Sequence, residues 1–354
     1  MAILRVNLRP EKADRSVGHH DDDVAKGLVQ AEHASTFNSH RSPKDSQIDE
    51  NGADDDSAPI WQQIEWRLMP NTTVGRALVS ATQRLDDGGS RTANLDAQVI
   101  LAHVLGVDRS WLFAHHDYEL MPAEATLYSE LVARRTASEP VAYLVGMKEF
   151  YGLELAVDAR VLIPRPETEL LVDAVLDHIE SRSDRHVTVV DVGTGSGAIA
   201  CAVANNCPEA KVYATDISED ALSVARQNVS RWDKRQQVTL LKGDLLAPLP
   251  EKVDVIAANL PYIRSDEYAT LQRDVRDYEP QLALEAGPEG LDVFSRLLQQ
   301  IPKHLKPGGV IFLEIAYDQG EAVVDLIGRL LPDARSIAIR KDYHGHDRLV
   351  LAAV

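Results

Sequence analysis

From Thr73 onward the apolar positions fall at helical spacing. Val74, Ala77, Leu78, Ala81 and Leu85 recur every three or four residues and would line one helix face, until Asp86-Asp87-Gly88-Gly89 breaks the pattern. Leu95, Val99, Ile100, Ala102, His103 and Leu105 predict a second amphipathic helix that stops near Gly106. Further helices are expected over Arg109–His115 and Pro122–Ala137. Residues 73–138 therefore read as a small helical bundle without a cluster of catalytic side chains, suited to substrate recognition or scaffolding.

The period then changes. Glu139-Pro140 and Gly146 punctuate the chain, and Glu149-Phe150-Tyr151-Gly152-Leu153-Glu154-Leu155-Ala156-Val157 alternates as a strand or hairpin does. Residues 139–163 are read as a connecting hairpin. From Val187 strands and helices alternate, which predicts an α/β fold with a doubly wound, largely parallel sheet. Strands are expected at Val187–Val192, Lys211–Thr215, Gln237–Leu241, Val253–Ala258 and Gly309–Ile315. Helices are expected from Ala198, over Glu219–Val229 and over Asp318–Leu330. Arg335–Arg340 and Arg348–Ala353, joined by Tyr343-His344-Gly345-His346, predict an antiparallel hairpin at the sheet edge, for seven strands in all.

Residues 1–68 carry little apolar periodicity and runs such as His19-His20-Asp21-Asp22-Asp23 and Asp54-Asp55-Asp56, which predicts a disordered polar extension. A solvated tail accounts for the His-Asp run better than a metal site does, and no metal is expected anywhere. Cys201 and Cys207 are too few for a disulfide framework and are read as packing residues. No secretory signal or membrane span is evident, so a soluble cytoplasmic chain is expected. The 354 residues carry 55 acidic against 37 basic side chains, a formal net charge of −18. A nucleic-acid enzyme needs a basic stripe to replace phosphate counterions, and this composition leans against one.

The chemistry concentrates at strand ends. Asp191-Val192-Gly193-Thr194-Gly195-Ser196-Gly197-Ala198 follows a strand and opens a helix, where glycines permit close backbone approach and the helix start offers free N–H donors. Asp216 ends the next strand, placed to accept hydrogen bonds from ribose hydroxyls. Together these predict a nucleotide-like cofactor bound by Gly193, Thr194, Gly195, Ser196, Gly197 and Asp216. The spacing G-x-G-x-G is similar to the first motif of Rossmann-like S-adenosylmethionine methyltransferases, and Gly243-Asp244-Leu245 fits their adenine-side position.

After the fourth strand comes Ala258-Asn259-Leu260-Pro261-Tyr262-Ile263. Asn-x-Pro-Tyr at this place resembles enzymes that alkylate a conjugated nitrogen, in a glutamine amide or an adenine amino group. The Asn259 oxygen and the carbonyl of residue 260 can accept the two N–H bonds of such a nitrogen and fix it in line with the methyl donor. Pro261 stiffens the turn, and Tyr262 can pack on the planar group. These residues, with Leu162-Ile163-Pro164-Arg165-Pro166-Glu167-Thr168-Glu169, Glu139-Pro140-Val141-Ala142-Tyr143, Tyr278-Glu279-Pro280 and Gly287-Pro288-Glu289-Gly290-Leu291, resemble the release-factor glutamine methyltransferases (the PrmC/HemK family) over about residues 73–354.

The resemblance implies a Rossmann-like methyltransferase domain over 164–354, with S-adenosyl-L-methionine as cofactor. It implies methylation of the side-chain nitrogen (N5) of glutamine in the Gly-Gly-Gln motif of class 1 peptide chain release factors. Asn259, Pro261 and Tyr262 would be catalytic. Asp244 and Leu245 would lie near the adenine, and Asn259 would border the cofactor as well. Asn259 to Tyr262 would grip the substrate, with Arg165 and Glu167 closing over the site; a helix-capping role for Arg165–Glu169 is the alternative. The family usually has Asn-Pro-Pro-Tyr, and Leu260 departs from it toward the form seen in rRNA adenine dimethyltransferases. An adenine-N6 methyltransferase on RNA or DNA therefore stays open, as does a binding module without turnover. A monomer that contacts neither nucleic acid nor membrane is expected.

Overall fold

The computed structural model describes residues 4–6, 72–233 and 235–354. Its first element is a short strand, β1 (Leu4–Val6). Helices α1 (Val74–Asp87), α2 (Ala93–Leu105), α3 (Arg109–Ala114), α4 (Pro122–Thr136) and α5 (Val141–Val145) follow, and Thr73 caps α1 by accepting from the Arg76 amide. They bury a core of their own built around Val74, Leu85, Ile100, Leu101, Leu112 and Leu131. The buried face of α2 differs from the expected one. Leu95 is exposed, whereas Asp96 turns inward, where Arg135 Nε (2.7 Å), Ser90 and Thr92 satisfy its carboxylate. Apolar periodicity alone cannot reveal a buried ion pair.

Strands β2 (Met147–Phe150) and β3 (Leu153–Ala156) form the predicted hairpin. Tyr151 and Gly152 both take positive φ, 52° and 74°, the primed-turn geometry that matches strand twist. A short 3-10 turn, Pro166–Thr168, leads into α6 (Glu169–Ser181). Then come β4 (Thr188–Val192), α7 (Ala198–Asn206), β5 (Lys211–Asp216), α8 (Glu219–Trp232), β6 (Val238–Lys242) and β7 (Val253–Ala258). Short helices α9 (Ser265–Tyr268) and α10 (Arg273–Arg276) precede α11 (Asp292–His304), β8 (Leu305–Glu314), α12 (Gly320–Leu330), β9 (Arg335–Lys341) and β10 (Asp347–Ala353).

The sheet order is β1-β9-β10-β8-β7-β4-β5-β6. Strands β6, β5, β4, β7 and β8 are parallel neighbours, and β10 runs antiparallel between β8 and β9. These seven are the expected strands. The eighth, β1, pairs in parallel with β9 (Leu4 opposite Ala338), giving that edge partners for its backbone groups. The expectation of a structureless extension over 1–68 thus fails at Leu4–Val6, and the rest of it, with both acidic runs, lies outside the described residues.

Every residue of β4 is buried, as parallel strands covered on both faces require. One face packs on α6 and α7 through Leu171, Val175 and Ile199, with Cys201 and Cys207 buried there as free thiols. The other face packs on α11 and α12 through Phe294, Leu297, Ile301, Val323 and Ile327. Burial pushes the Cys201 thiol up to about 12, so it stays protonated as a small apolar side chain. Helix α11 is not among the predicted elements. Among the described residues, no helix is long and apolar enough to cross a membrane.

Candidate active site at the sheet switch point

Strand order reverses between β4 and β7, where β4 leads outward to β5 and β6 on one side and β7 to β8 on the other. Ligand crevices in such sheets open at the carboxyl ends on either side of that reversal. Here the loops are Gly193–Gly197 after β4 and Asn259–Tyr262 after β7. Between them lies a cleft with about 900 Å³ of empty space, part of it open to solvent. Gly193, Gly195, Asp216, Asp244, Leu245, Asn259, Leu260 and Pro261 line it, with walls at Arg160–Leu162 and Pro280–Ala283.

The glycine loop is held by its own neighbourhood. The Gly193 and Thr194 amides both donate to the Thr215 carbonyl, each at 2.9 Å. Asp216 accepts from the Gly195 amide (Oδ2, 2.9 Å) and the Ser218 amide (Oδ1, 2.9 Å). Each carboxylate oxygen keeps a second lone pair for a ligand. Burial pushes the Asp216 carboxyl above its ordinary range, and the backbone donors pull it back toward ionisation. Gly195 has φ +54°, and a Cβ there would meet no atom within 4 Å, so its open side faces the cleft. Behind the loop, the Thr194 hydroxyl donates to Asp191 Oδ2 (2.6 Å), as does the Ala200 amide (3.1 Å). Asn228 of α8 donates to the Ser196 carbonyl (2.8 Å) and pairs with the backbone of Ala156, which ties the connecting hairpin to the loop.

At the cleft's other end Asp244 pairs with Arg296 and accepts from Gln300 (3.3 Å), both on α11. Leu245 takes φ +53°.

The Asn259 loop is held from outside. Asn259 Nδ2 donates to Thr168 Oγ1 at 3.0 Å, across 91 residues of sequence. Among the described residues, no hydrogen bond reaches the Asn259 side-chain oxygen or the Leu260 carbonyl. Leu260 points its side chain into the core beneath Gly193, where a Cβ would sit 3.0 Å from Leu260 Cδ2. Gln319 donates to the Tyr262 carbonyl (3.0 Å) and the Gly290 carbonyl (3.3 Å). A Cβ on Gly290 would come within 2.3 Å of the Tyr262 carbonyl oxygen, so only glycine lets these two loops touch. Tyr262 packs against the core, and burial, then the Glu314 charge, push its phenol up to about 12.

Several predicted residues stand back from the cleft surface. Thr194 and Ser196 are buried, and the Gly197 side faces Ala225. Arg165 pairs with Glu279, whose other oxygen accepts from the Ile163 amide at 3.1 Å. It therefore clasps the Arg160–Leu162 wall to the Pro280–Ala283 wall. Glu167 lies within the Pro166–Thr168 turn ahead of α6, and neither that turn nor α6 has a side-chain hydrogen bond at its N-cap. Sequence reasoning passed over Thr168, Asn228, Glu279, Arg296, Gln300, Glu314 and Gln319. Thr168 and Glu279 stood inside quoted motifs, and the other five carry no local signal.

A family model for the PrmC N-terminal domain matches residues 76–146, and one for the methyltransferase small domain matches residues 167–282. The release factor glutamine methyltransferase of Moorella thermoacetica is 44% identical over 281 residues, covering 79% of this chain and 98% of that protein. That of Rhodopirellula baltica is 40% identical over 286 residues, covering 78% and 95%. The solved structure of a release-factor-specific protein-(glutamine-N5) methyltransferase from Alicyclobacillus acidocaldarius shares 28% identity, covers 57% of this chain and 98% of its own, and gives a TM-score of 0.35. By its 44% and 40% identity to the Moorella and Rhodopirellula proteins over nearly their whole lengths, the chain belongs to the release factor glutamine methyltransferase family.

Proposed function

We propose that the cleft binds S-adenosyl-L-methionine and that the chain transfers a methyl group to the N5 nitrogen of the Gly-Gly-Gln glutamine in class 1 release factors. The observation that carries this reading is the pair of acceptors at the switch point, Asn259 Oδ1 and the Leu260 carbonyl, which no described residue occupies. A glutamine amide offers two N–H donors on one nitrogen, and two fixed acceptors match it. The lone pair of that nitrogen is delocalised, so it is a poor nucleophile. Acceptors aimed at the N–H bonds stabilise the positive charge that grows as the new C–N bond forms, and they hold the nitrogen in line.

The residues present fit the cofactor. Gly195 leaves open space, Asp216 has lone pairs to spare for ribose hydroxyls, and Asp244 with Leu245 borders the far end. When bound, the sulfonium supplies an electrophilic methyl group and leaves as the neutral thioether. The chain's part is to orient the amide and exclude water. The methylated nitrogen is acidic enough to lose its extra proton after transfer, so no strong base is needed. Leu260 acts through its backbone carbonyl, and a leucine side chain buried beneath Gly193 leaves that group in place. Pro261 and Tyr262 fix the turn, and Arg165 shapes the wall. On this reading the chain works in the cytoplasm, as a monomer, on a protein partner.

The test is methyl transfer from labelled cofactor to a class 1 release factor, its Gln→Ala loop variant and ribosomal RNA. The reading expects label on the wild-type factor alone. Label on RNA with none on the factor would favour an adenine-N6 enzyme and defeat it.

A further inference from the structure

Behind Asn259 the structure contains a polar path that the reaction above does not use. Glu314, the last residue of β8, is buried, and its Oε2 has no hydrogen-bond partner. Thr168, also buried, stands between it and Asn259. Its hydroxyl oxygen receives the Asn259 amide, and the hydroxyl lies beside the buried Glu314 carboxyl, whose charge it favours. We propose that Thr168 and Glu314 are positioning residues that set the amide orientation of Asn259, so that its oxygen and not its nitrogen faces the group to be methylated.

The inference rests on the methyl-transfer reading, and its logic is one of donors and acceptors. The two ends of an asparagine amide are nearly equal in shape. Presenting Nδ2 to a substrate –NH2 would set donor against donor and leave both desolvated. No described residue holds the oxygen on the cleft side, so the choice must be made from behind. An ionised carboxylate only accepts, so Thr168 donates its single proton to Glu314. The hydroxyl then has only lone pairs left for Asn259, and Nδ2 is drawn inward.

Protonating Glu314 would loosen this order, because a carboxylic acid can donate to Thr168 and free the hydroxyl proton to turn toward Asn259. Burial lifts the Glu314 carboxyl to about 7. The groups facing it are Thr168 and Arg165, which favour its charge, and Glu167, which opposes it, all from the segment ahead of α6. Arg348 of β10 also favours it, and Tyr262 faces it from the Asn259 loop. The carboxylate form is lost as pH falls through about 7, so turnover at saturating cofactor should fall with it.

The experiment uses the full chain, S-adenosylmethionine and a class 1 release factor, comparing wild type with Thr168→Val, Thr168→Ser and Glu314→Gln. Thr168→Val should lower kcat about tenfold, the worth of one charge-assisted hydrogen bond. KM for the factor and calorimetric cofactor affinity should stay within about twofold, because Thr168 is buried and does not line the cleft. Thr168→Ser should restore most of kcat. Glu314→Gln, which cannot ionise, should lose the acid limb between pH 6 and 8. Wild-type kcat in Thr168→Val, no recovery in Thr168→Ser, or an unchanged acid limb in Glu314→Gln would each overturn the relay while leaving the methyl-transfer reading intact. Failure of the wild-type chain to label the factor would instead overturn that reading, and the relay with it.

Discussion

The two loops that meet at the switch point are stabilised in opposite ways. The glycine loop is held mainly by residues next to it in the chain or on the adjacent strand, namely Asp191, Thr215 and Asp216, with Asn228 of α8 added from farther along the chain. The Asn259 loop is held by residues from elsewhere: Thr168 before α6, Gly290 ahead of α11 and Gln319 at the start of α12. A cofactor site that binds the same molecule in every turnover can be a compact local motif. On the proposed reading, Asn259 Oδ1 and the Leu260 carbonyl of the second loop, which line the cleft without a hydrogen-bond partner among the described residues, are kept for a protein substrate, so its supports come from other elements. Remote supports couple that loop to the rest of the fold.

If the division is sound, variants in the two loops should separate binding from turnover. The largest effect is expected at Asn259. Asn259→Ala should cut turnover by about 100-fold or more, the scale of losing one positioned transition-state partner, with cofactor affinity nearly unchanged. Turnover close to wild type in that variant would end the catalytic assignment. On the other side of the cleft, Asp216→Ala should weaken cofactor binding about tenfold or more, since it removes ribose acceptors and unpins Gly195 together. Undiminished affinity by calorimetry would contradict that assignment.

Gly290→Ala sharpens the comparison by striking the Asn259 loop from a distance. With φ at +67° and the Tyr262 carbonyl 2.3 Å from the new Cβ, the loop must shift. A loss of about 1–3 kcal/mol in urea unfolding is expected, with kcat falling more than cofactor affinity. The reverse pattern would mean that the two loops are not held separately.

A smaller effect concerns pH. Burial raises the Asp191 carboxyl from 3.8 to about 7. The folded chain therefore binds that proton more tightly than the unfolded one, and this contribution to stability is fully present below pH 3.8 and is lost as pH rises toward about 7. Asp191→Asn should gain on wild type in unfolding free energy across that window, and a pH-independent difference would refute the assignment. Least affected should be a chain starting at Met69, which loses only β1 among the described elements. Its turnover should stay within about twofold of the full chain, and an aggregated product would show that the extension matters to the fold.

The same division explains what the sequence disclosed. The glycine loop, Asp216 and the strands around them follow one another at short range, so spacing alone locates them. The Asn259 motif was legible as a motif, but its supports were not, because nothing in one sequence pairs Thr168 with Asn259 or Gln319 with Tyr262. Helix α11 escaped for a related reason. Phe294, Leu297, Leu298 and Ile301 have helical spacing, yet Pro302 sits in its last turn and β8 follows His304 with no loop between. Without α11, Arg296 and Gln300 could not be seen as the partners of Asp244. The inward turn of Asp96 and the outward one of Leu95 were hidden because Arg135, the counter-ion, lies 39 residues away.

The central claim is that the Asn259 loop presents two acceptors to a glutamine amide. Tandem mass spectrometry of a class 1 release factor after reaction with the full chain tests it most directly. The account predicts one added methyl group, on the side chain of the Gly-Gly-Gln glutamine, absent when Asn259→Ala replaces the wild-type chain. A methyl group on any other residue, or an equal yield from the Asn259 variant, would contradict it.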